Sequence, residues 1–419
     1  MRHRLACLAA SRAMALLLAL PILAAAACRA ERAPPDQTPR VLLVSLDGFR
    51  WDYLDRAPAK RLRELAQRGV RAERMIPVFP SKTFPNHYSI VTGLTPDEHG
   101  IVANVMRDPE LGLFRTSDSL AQQDSRWWAG EPIWVTAEKQ GRRAAAYFWP
   151  GSEAVIDGVR STWWTRYDHG RPNATRVRQV LEWLALPPDS APAFIALYLS
   201  DTDDAGHRFG PTASQTDSAI ARVDSAVGAL VDGIARLGLT SVVNVLIVAD
   251  HGMVETSADR AIVLDDYIDL KRVEVVDWTP VAAIAPRAGE EERVYRALAG
   301  KHPLLQVYRK GELPARWHFH AHPRITPIVA VADEGWTITS RAQVAQWREE
   351  GWTGGATHGY DPALVSMGAV FVAAGPGIAR GKQIPAFRNV HLYALMAHLL
   401  ALQPAPTAGS LDSVRAILR

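Results

Sequence analysis

Three short apolar runs, each ending in an acid, constrain this chain more than any other feature. "VLLVSL" (Val41 to Leu46) runs into Asp47-Gly48, "FIALYLS" (Phe194 to Ser200) into Asp201-Thr202-Asp203, and "VVNVLIVA" (Val242 to Ala249) into Asp250-His251-Gly252. A continuous apolar run bounded by turn residues fits a strand buried on both faces. "AVFVAAG" (Ala369 to Gly375) reads as a fourth. Helical patterns lie between them. Leu62, Leu65 and Ala66 share a face, with Gly69 just past the expected helix end, and Ile220, Val223, Val227, Leu230, Ile234 and Leu237 form one stripe. Strands alternating with helices indicate an α/β fold: a mostly parallel central sheet with helices on both faces. Residues 265–339 break the rhythm with short alternating runs ("RVEVVDW", "LLQVYRK", "PIVAVADEGW") and one helix near Glu290 to Leu298. They are expected to form a small inserted α+β subdomain.

The N-terminus has a basic start, an apolar centre and small residues at its end, the pattern of an export signal over residues 1–28. "AAAC" (Ala25 to Cys28) resembles a lipoprotein cleavage site, which makes Cys28 a candidate lipid anchor and the only expected membrane contact. Residues 29–39 read as a Pro-rich tether. Arg2, Arg4 and Arg12 of the leader account for the formal net charge of +3. The remaining chain is near neutral, which removes the case for coating a nucleic acid. Both cysteines, Cys7 and Cys28, lie outside the expected domain, so any metal there must be held by carboxylate, imidazole or hydroxyl groups.

Ligands of open α/β sheets bind beyond the carboxyl ends of the strands. Carboxylates gathered at three such ends repel one another unless a cation sits among them. The imidazoles point the same way. Asp203 stands four residues before His207, Asp250 precedes His251, and His358 lies between Thr357 and Gly359 in "GATHGYDP". Asp and His ligands without Cys suit catalytic Zn²⁺. The set is large enough for two ions, and pairs about 3.5–4 Å apart clamp the oxygens of a phosphoryl transfer.

"LVSLDGFRWDYL", "PVFPSKTFPNHYSIVTGLTPDEHGIVAN", "GEPIWVTA", "YFWPGSE", "DTDDAGHRFGP", "VADHGM" and "THGYDP" strongly resemble the nucleotide pyrophosphatase/phosphodiesterase family of the alkaline phosphatase superfamily. The likeness runs from about Val41 to the C-terminus, so residues 40–419 are expected to form one phosphodiesterase catalytic domain. It implies two zinc ions per chain, one held by Asp47, Thr83, Asp250 and His251, the other by Asp203, His207 and His358. It implies that Thr83 is the nucleophile, forming a nucleotidyl-threonine intermediate that water then hydrolyses, with retained configuration at phosphorus. Asn104 is expected to donate to a phosphate oxygen, as is the Phe84 amide, while the Phe84 and Tyr167 rings sandwich a base. The substrate is then a small nucleotide or other phosphodiester. Some positions depart from the family pattern. "SDTDDAGH" stands where many animal members have an "EEPD" type of sequence, and Val105 replaces a lysine frequent after the asparagine. With no cysteine in the body, the chain looks like a stand-alone bacterial member, exported to the periplasm or lipid-anchored to the envelope.

Other residues are read as structural. His318, His320 and His322 share one face of an expected strand, but the corresponding family segment holds no zinc. His87, His99 and His391 are assigned to internal hydrogen bonds, and Lys82 to either phosphate contact or solvent. Two other functions fit the same scaffold: hydrolysis of lipid-headgroup phosphodiesters, and surface binding without catalysis. A phosphomonoesterase would need an arginine clamp, and none stands near Thr83.

Overall fold

The computed structural model describes residues 38–419, so Cys28 and nearly all of the leader and tether lie outside the described residues. Among the described residues no helix is long and apolar enough to cross a membrane. An eight-stranded sheet organises the molecule. Its strands lie in the order Lys382–Ile384, Val70–Ala72, Phe371–Ala374, Val243–Val248, Arg40–Leu46, Phe194–Leu199, Ala144–Tyr147 and Trp163–Thr165. The three acid-terminated strands are therefore direct neighbours. Leu43 stands opposite Ala196 on one side and Leu246 on the other, and all residues of these three strands are buried.

All strands run one way except Phe371–Ala374, which pairs antiparallel with both neighbours. The direction follows from where the chain comes from. Ala369 pairs with Met75, and Phe371 enters the sheet opposite Val248, at the carboxyl end of the parallel strands. The chain has already crossed to that end to deliver His358, so it must run back.

Helices cover both faces. Lys60–Arg68, Asn173–Leu184 and Ser214–Arg236 pack as one group, and Thr83–Thr92, Ile133–Lys139 and Leu392–Leu399 as the other. Leu62, Leu65 and Ala66 are buried as their spacing predicts. The apolar stripe of the long helix ends at Ile234, because Leu237 falls beyond the last helical residue and is exposed.

A separate antiparallel sheet, within residues 265–339, has the order Val273–Asp277, Val281–Pro286, Ile328–Ala332, Leu305–Arg309. Alternate residues serve two cores. Ile328, Ala330 and Ala332 pack with Val294 and Leu298 of the Glu291–Leu298 helix, while Val329 and Val331 join the main core. Strand periodicity thus fuses this sheet to the rest.

Gly69 ends the Lys60–Arg68 helix without a left-handed backbone; a Cβ there would lie 2.0 Å from Ala373 O. The glycine is needed for close approach of helix end to strand. Gly69→Ala is expected to cost about 1–3 kcal/mol by overpacking. Thermal unfolding of variant and parent checks this; an unchanged midpoint contradicts it.

Candidate active site

The neighbouring strands deliver their acids to one place. The Asp47 N–H donates to Leu199 O at 2.9 Å. Gly48 follows with φ +64°, its N–H donating to Asp250 Oδ1 at 3.1 Å. A Cβ on Gly48 would stand 3.0 Å from Asp203 Cα, so glycine is what lets the strand ends close. Two clusters result: Asp47, Asp250 and His251, and Asp203, His207 and His358; within each, the ligand atoms lie within 4.8 Å of one another. Asp203 and His207 sit one turn apart on the Asp201–Phe209 helix. The His251 and His358 rings stack at 3.4 Å between centroids, which joins the clusters. Thr83 Oγ1 lies 3.3 Å from His251 Nε2.

The hydrogen bonds around these clusters fit divalent cations. Each imidazole is paired through Nδ1 with a backbone carbonyl: His251 with Gly252 O at 2.9 Å, His207 with Ala356 O at 2.9 Å, His358 with Ser81 O at 2.8 Å. A donating Nδ1–H leaves a bare Nε2 lone pair facing the acids, the arrangement of metal-bound histidine. Asp47 Oδ1 and Asp203 Oδ1 are buried with no hydrogen-bond partner among the described residues, and Asp250 Oδ2 lies 2.8 Å from His251 Nε2. Unpartnered carboxylate oxygens beside bare imidazole nitrogens form a donor set for a cation.

The electrostatics agree. Burial, then the charges of Asp250 and Asp203, push the Asp47 carboxyl well above its ordinary value. Burial also raises Asp203. Against its own burial, Asp250 is held low by His251 and His87. Burial and the neighbouring His251 and His207 push His358 well down, which keeps it neutral and able to ligate.

A cavity of ≈ 220 Å³ opens beside the clusters, lined by Asp47, Thr83, Asn104 and Asp203 and walled by the rings of Phe84, Phe148, Trp149 and Tyr167. Thr83 is the first residue of the Thr83–Thr92 helix; Lys82 holds the cap position without a side-chain cap bond. The loop before it is braced by Asn86, whose Oδ1 accepts from Val78 N–H and whose Nδ2 donates to Pro80 O and Lys82 O. The Thr83 hydroxyl is thus left free of capping duty. Asn104 Oδ1 accepts the Phe84 N–H at 2.9 Å. That amide was expected to face phosphate; instead it orients Asn104, whose NH₂ remains to donate.

This chain is similar to phosphodiester-cleaving enzymes over nearly its whole length. The type I phosphodiesterase/nucleotide pyrophosphatase family profile matches residues 41–361. A Xenopus laevis bis(5'-adenosyl)-triphosphatase is 39% identical over 93% of this chain and 84% of its own length. Human ectonucleotide pyrophosphatase/phosphodiesterase family member 5 is 38% identical over 92% and 79%. The chain belongs to the nucleotide pyrophosphatase/phosphodiesterase family. It is a phosphodiester hydrolase. The solved structure of an inactive threonine-to-alanine form of the mouse member 5 in complex with AMP superimposes with a TM-score of 0.86 at 38% identity, over 91% of this chain and 100% of that one.

Within this nucleotide pyrophosphatase/phosphodiesterase fold, several residues have duties that sequence did not assign. Tyr198 donates its hydroxyl to Asp47 Oδ2; the signal was a lone hydroxyl inside an apolar strand. Phe148 takes φ +70°, uncommon for a bulky residue, while facing the cavity. It lies in "YFWPGSE", where nothing in the local pattern marks a cavity wall. Lys82 is not solvated. It is buried, and its Nζ pairs with Asp277 of the four-stranded sheet at 2.5 Å. Burial on a neighbouring sheet is invisible in the local sequence.

The three histidines read as structural each make internal hydrogen bonds. His87 bridges Thr83 O and Ser45 Oγ, His99 meets Ser89 Oγ, and His391 accepts from Ser410 N–H. His318, His320 and His322 do not lie on a strand. His318 is left-handed at φ +48°, and the N–H groups of His320, Ala321 and His322 wrap the Asp97 carboxylate.

Raised carboxyls at Asp47 and Asp203 mean that the folded, metal-free chain holds protons there which the unfolded chain has lost. Stability from these groups is therefore present at low pH and lost as pH rises through the folded values. A bound cation removes that loss, and protons compete with it. Added Zn²⁺ is expected to raise the thermal midpoint more at about pH 7.5 than at about pH 5. Equal shifts at both pH values, by calorimetry, contradict this.

Proposed function

We propose that this chain is an exported, zinc-dependent enzyme that hydrolyses nucleoside 5'-phosphodiesters and pyrophosphates, releasing a nucleoside 5'-monophosphate. One observation carries the reading: the uncapped Thr83 hydroxyl sits beside His251 where two Asp/His clusters meet, and opens into an aromatic-walled cavity. Asp47, Asp250 and His251 would hold one zinc with Thr83, and Asp203, His207 and His358 the other. Zinc at these positions supplies positive charge that favours ionised oxygen and offsets the gathered carboxylates.

The chain's own groups do the rest. Thr83 Oγ attacks phosphorus, a P–O bond forms, and the bond to the leaving oxygen breaks. The nucleotidyl-threonine so formed is hydrolysed by water, which restores the hydroxyl. Asn104, oriented by the Phe84 amide, donates to a non-bridging oxygen whose charge grows on attack. Thr83 stands at the start of the Thr83–Thr92 helix, whose dipole favours the same charge. Phe84 and Tyr167 wall the space for a base, and stacking tolerates many bases. The inactive threonine-to-alanine form of the mouse relative, crystallised with AMP, supports a threonine nucleophile and a nucleotide ligand. The basic, apolar, small-residue leader supports export, and "AAAC" supports a lipid anchor on Cys28 in a bacterial envelope.

ATP is expected to yield AMP and pyrophosphate by chromatography; ADP and phosphate would overturn the reading. Thr83→Ala should lower turnover by roughly 10³-fold or more with the fold intact by circular dichroism. Asn104→Ala should lower kcat by about 10²–10³-fold, as for loss of one oxyanion donor.

A further inference from the structure

We propose that His169 is a positioning residue for the substrate cavity, holding the Tyr167 ring in place as its outer wall. This rests on the proposed role of Tyr167 in walling the base site. Tyr167 follows the edge strand Trp163–Thr165 and is 41% exposed, so packing alone restrains it weakly. Its backbone is fixed by Tyr167 N–H donating to Glu153 Oε1 at 2.9 Å. Its ring leans edge-on against Phe148 at 5.2 Å and Tyr198 at 6.1 Å.

His169 supplies the other restraint. Its Nδ1 lies 3.0 Å from the Tyr167 hydroxyl, and its Nε2 lies 3.6 Å from Asp204 Oδ2. With Nε2–H toward the carboxylate, Nδ1 has a lone pair to accept the Tyr167 O–H. Asp204 adjoins the cluster residue Asp203 on the Asp201–Phe209 helix, so the chain of contacts ties the cavity wall to the helix that carries Asp203 and His207.

The backbone at His169 is anchored through its carbonyl. Arg176, buried on the Asn173–Leu184 helix, donates to His169 O at 3.2 Å, to Tyr198 O at 3.0 Å and to Arg171 O at 2.9 Å, with its guanidinium 5.0 Å from the Phe148 ring centre. On the outer side, His169, Ser200 and Asp204 border a separate open groove of ≈ 1260 Å³. Without His169, Tyr167 has space to swing away from the cavity.

Steady-state kinetics on the full chain test this. His169→Ala should raise KM for ATP about fivefold, the worth of one partly exposed hydrogen bond, with kcat nearly unchanged. KM for methyl p-nitrophenyl phosphate, which has no base, should stay the same. His169→Asn, which returns a polar atom near the Nδ1 position, should recover most of the loss. Tyr167→Phe should match His169→Ala, and the double variant should be no worse than either single one. An unchanged KM in His169→Ala, equal losses on both substrates, or additive losses in the double variant would overturn the assignment. Tyr167→Ala separates this from failure of the base-site reading. If it leaves KM for ATP unchanged, that reading falls and takes the role of His169 with it; if it raises KM while His169→Ala does not, only the role of His169 falls.

Discussion

Mutual repulsion among Asp47, Asp203 and Asp250 is the constraint on which the rest of the structure depends. Three adjacent strands end together, and each end leads to a carboxylate, fully buried at Asp47 and Asp250 and half-buried at Asp203. Removing such charges from water is costly, and placing them side by side adds to the cost. The surroundings offset only part of it. Gly48 N–H and the Tyr198 hydroxyl each serve one oxygen, while one oxygen of Asp47 and one of Asp203 stay without a donor. A fold optimised for stability alone would not keep three acids in this state. Their retention marks the place where binding energy is available for chemistry.

The histidines and loops answer that constraint from a distance. Ser81 O holds the His358 ring, Ser81 Oγ donates to Tyr360 O, and Lys82 reaches Asp277. Three consecutive residues, Ser81 to Thr83, thus knit one cluster, the four-stranded sheet and the helix start that presents the hydroxyl. That sheet contributes no residue to either Asp/His cluster, yet it supports the segment before Thr83. Lys82 illustrates the difference between contact and support: next in sequence to the candidate nucleophile, it spends its charge on scaffolding.

Much of the architecture was legible in the sequence because buried strands leave continuous apolar runs and amphipathic helices leave periodic ones. Val41 to Leu46 could be placed from the first signal and Leu62 to Ala66 from the second. The gathering of Asp47, Asp250 and His251, and of Asp203, His207 and His358, was legible for a different reason: their motifs resemble a family, and strand-end acids already pointed to one crevice. What could not be read was set by tertiary contact. The reversed strand at Phe371–Ala374 depends on where the preceding loop crosses, and Phe148 joins the cavity wall through an unusual backbone angle. The Phe84 amide is claimed by Asn104 twenty residues away, which no local pattern announces. The His318 to His322 alternation imitated a strand, but Asp97 gathers its backbone into a turn.

The direction of the first strand has a consequence for how the molecule is presented. The chain enters the sheet at Arg40, paired to Val242 O, and reaches the catalytic end only at Asp47. Seven residues at about 3.3 Å each separate entry from site by roughly 20 Å. The point where the described chain enters the sheet and the cavity beside Thr83 therefore lie at opposite ends of the same strands.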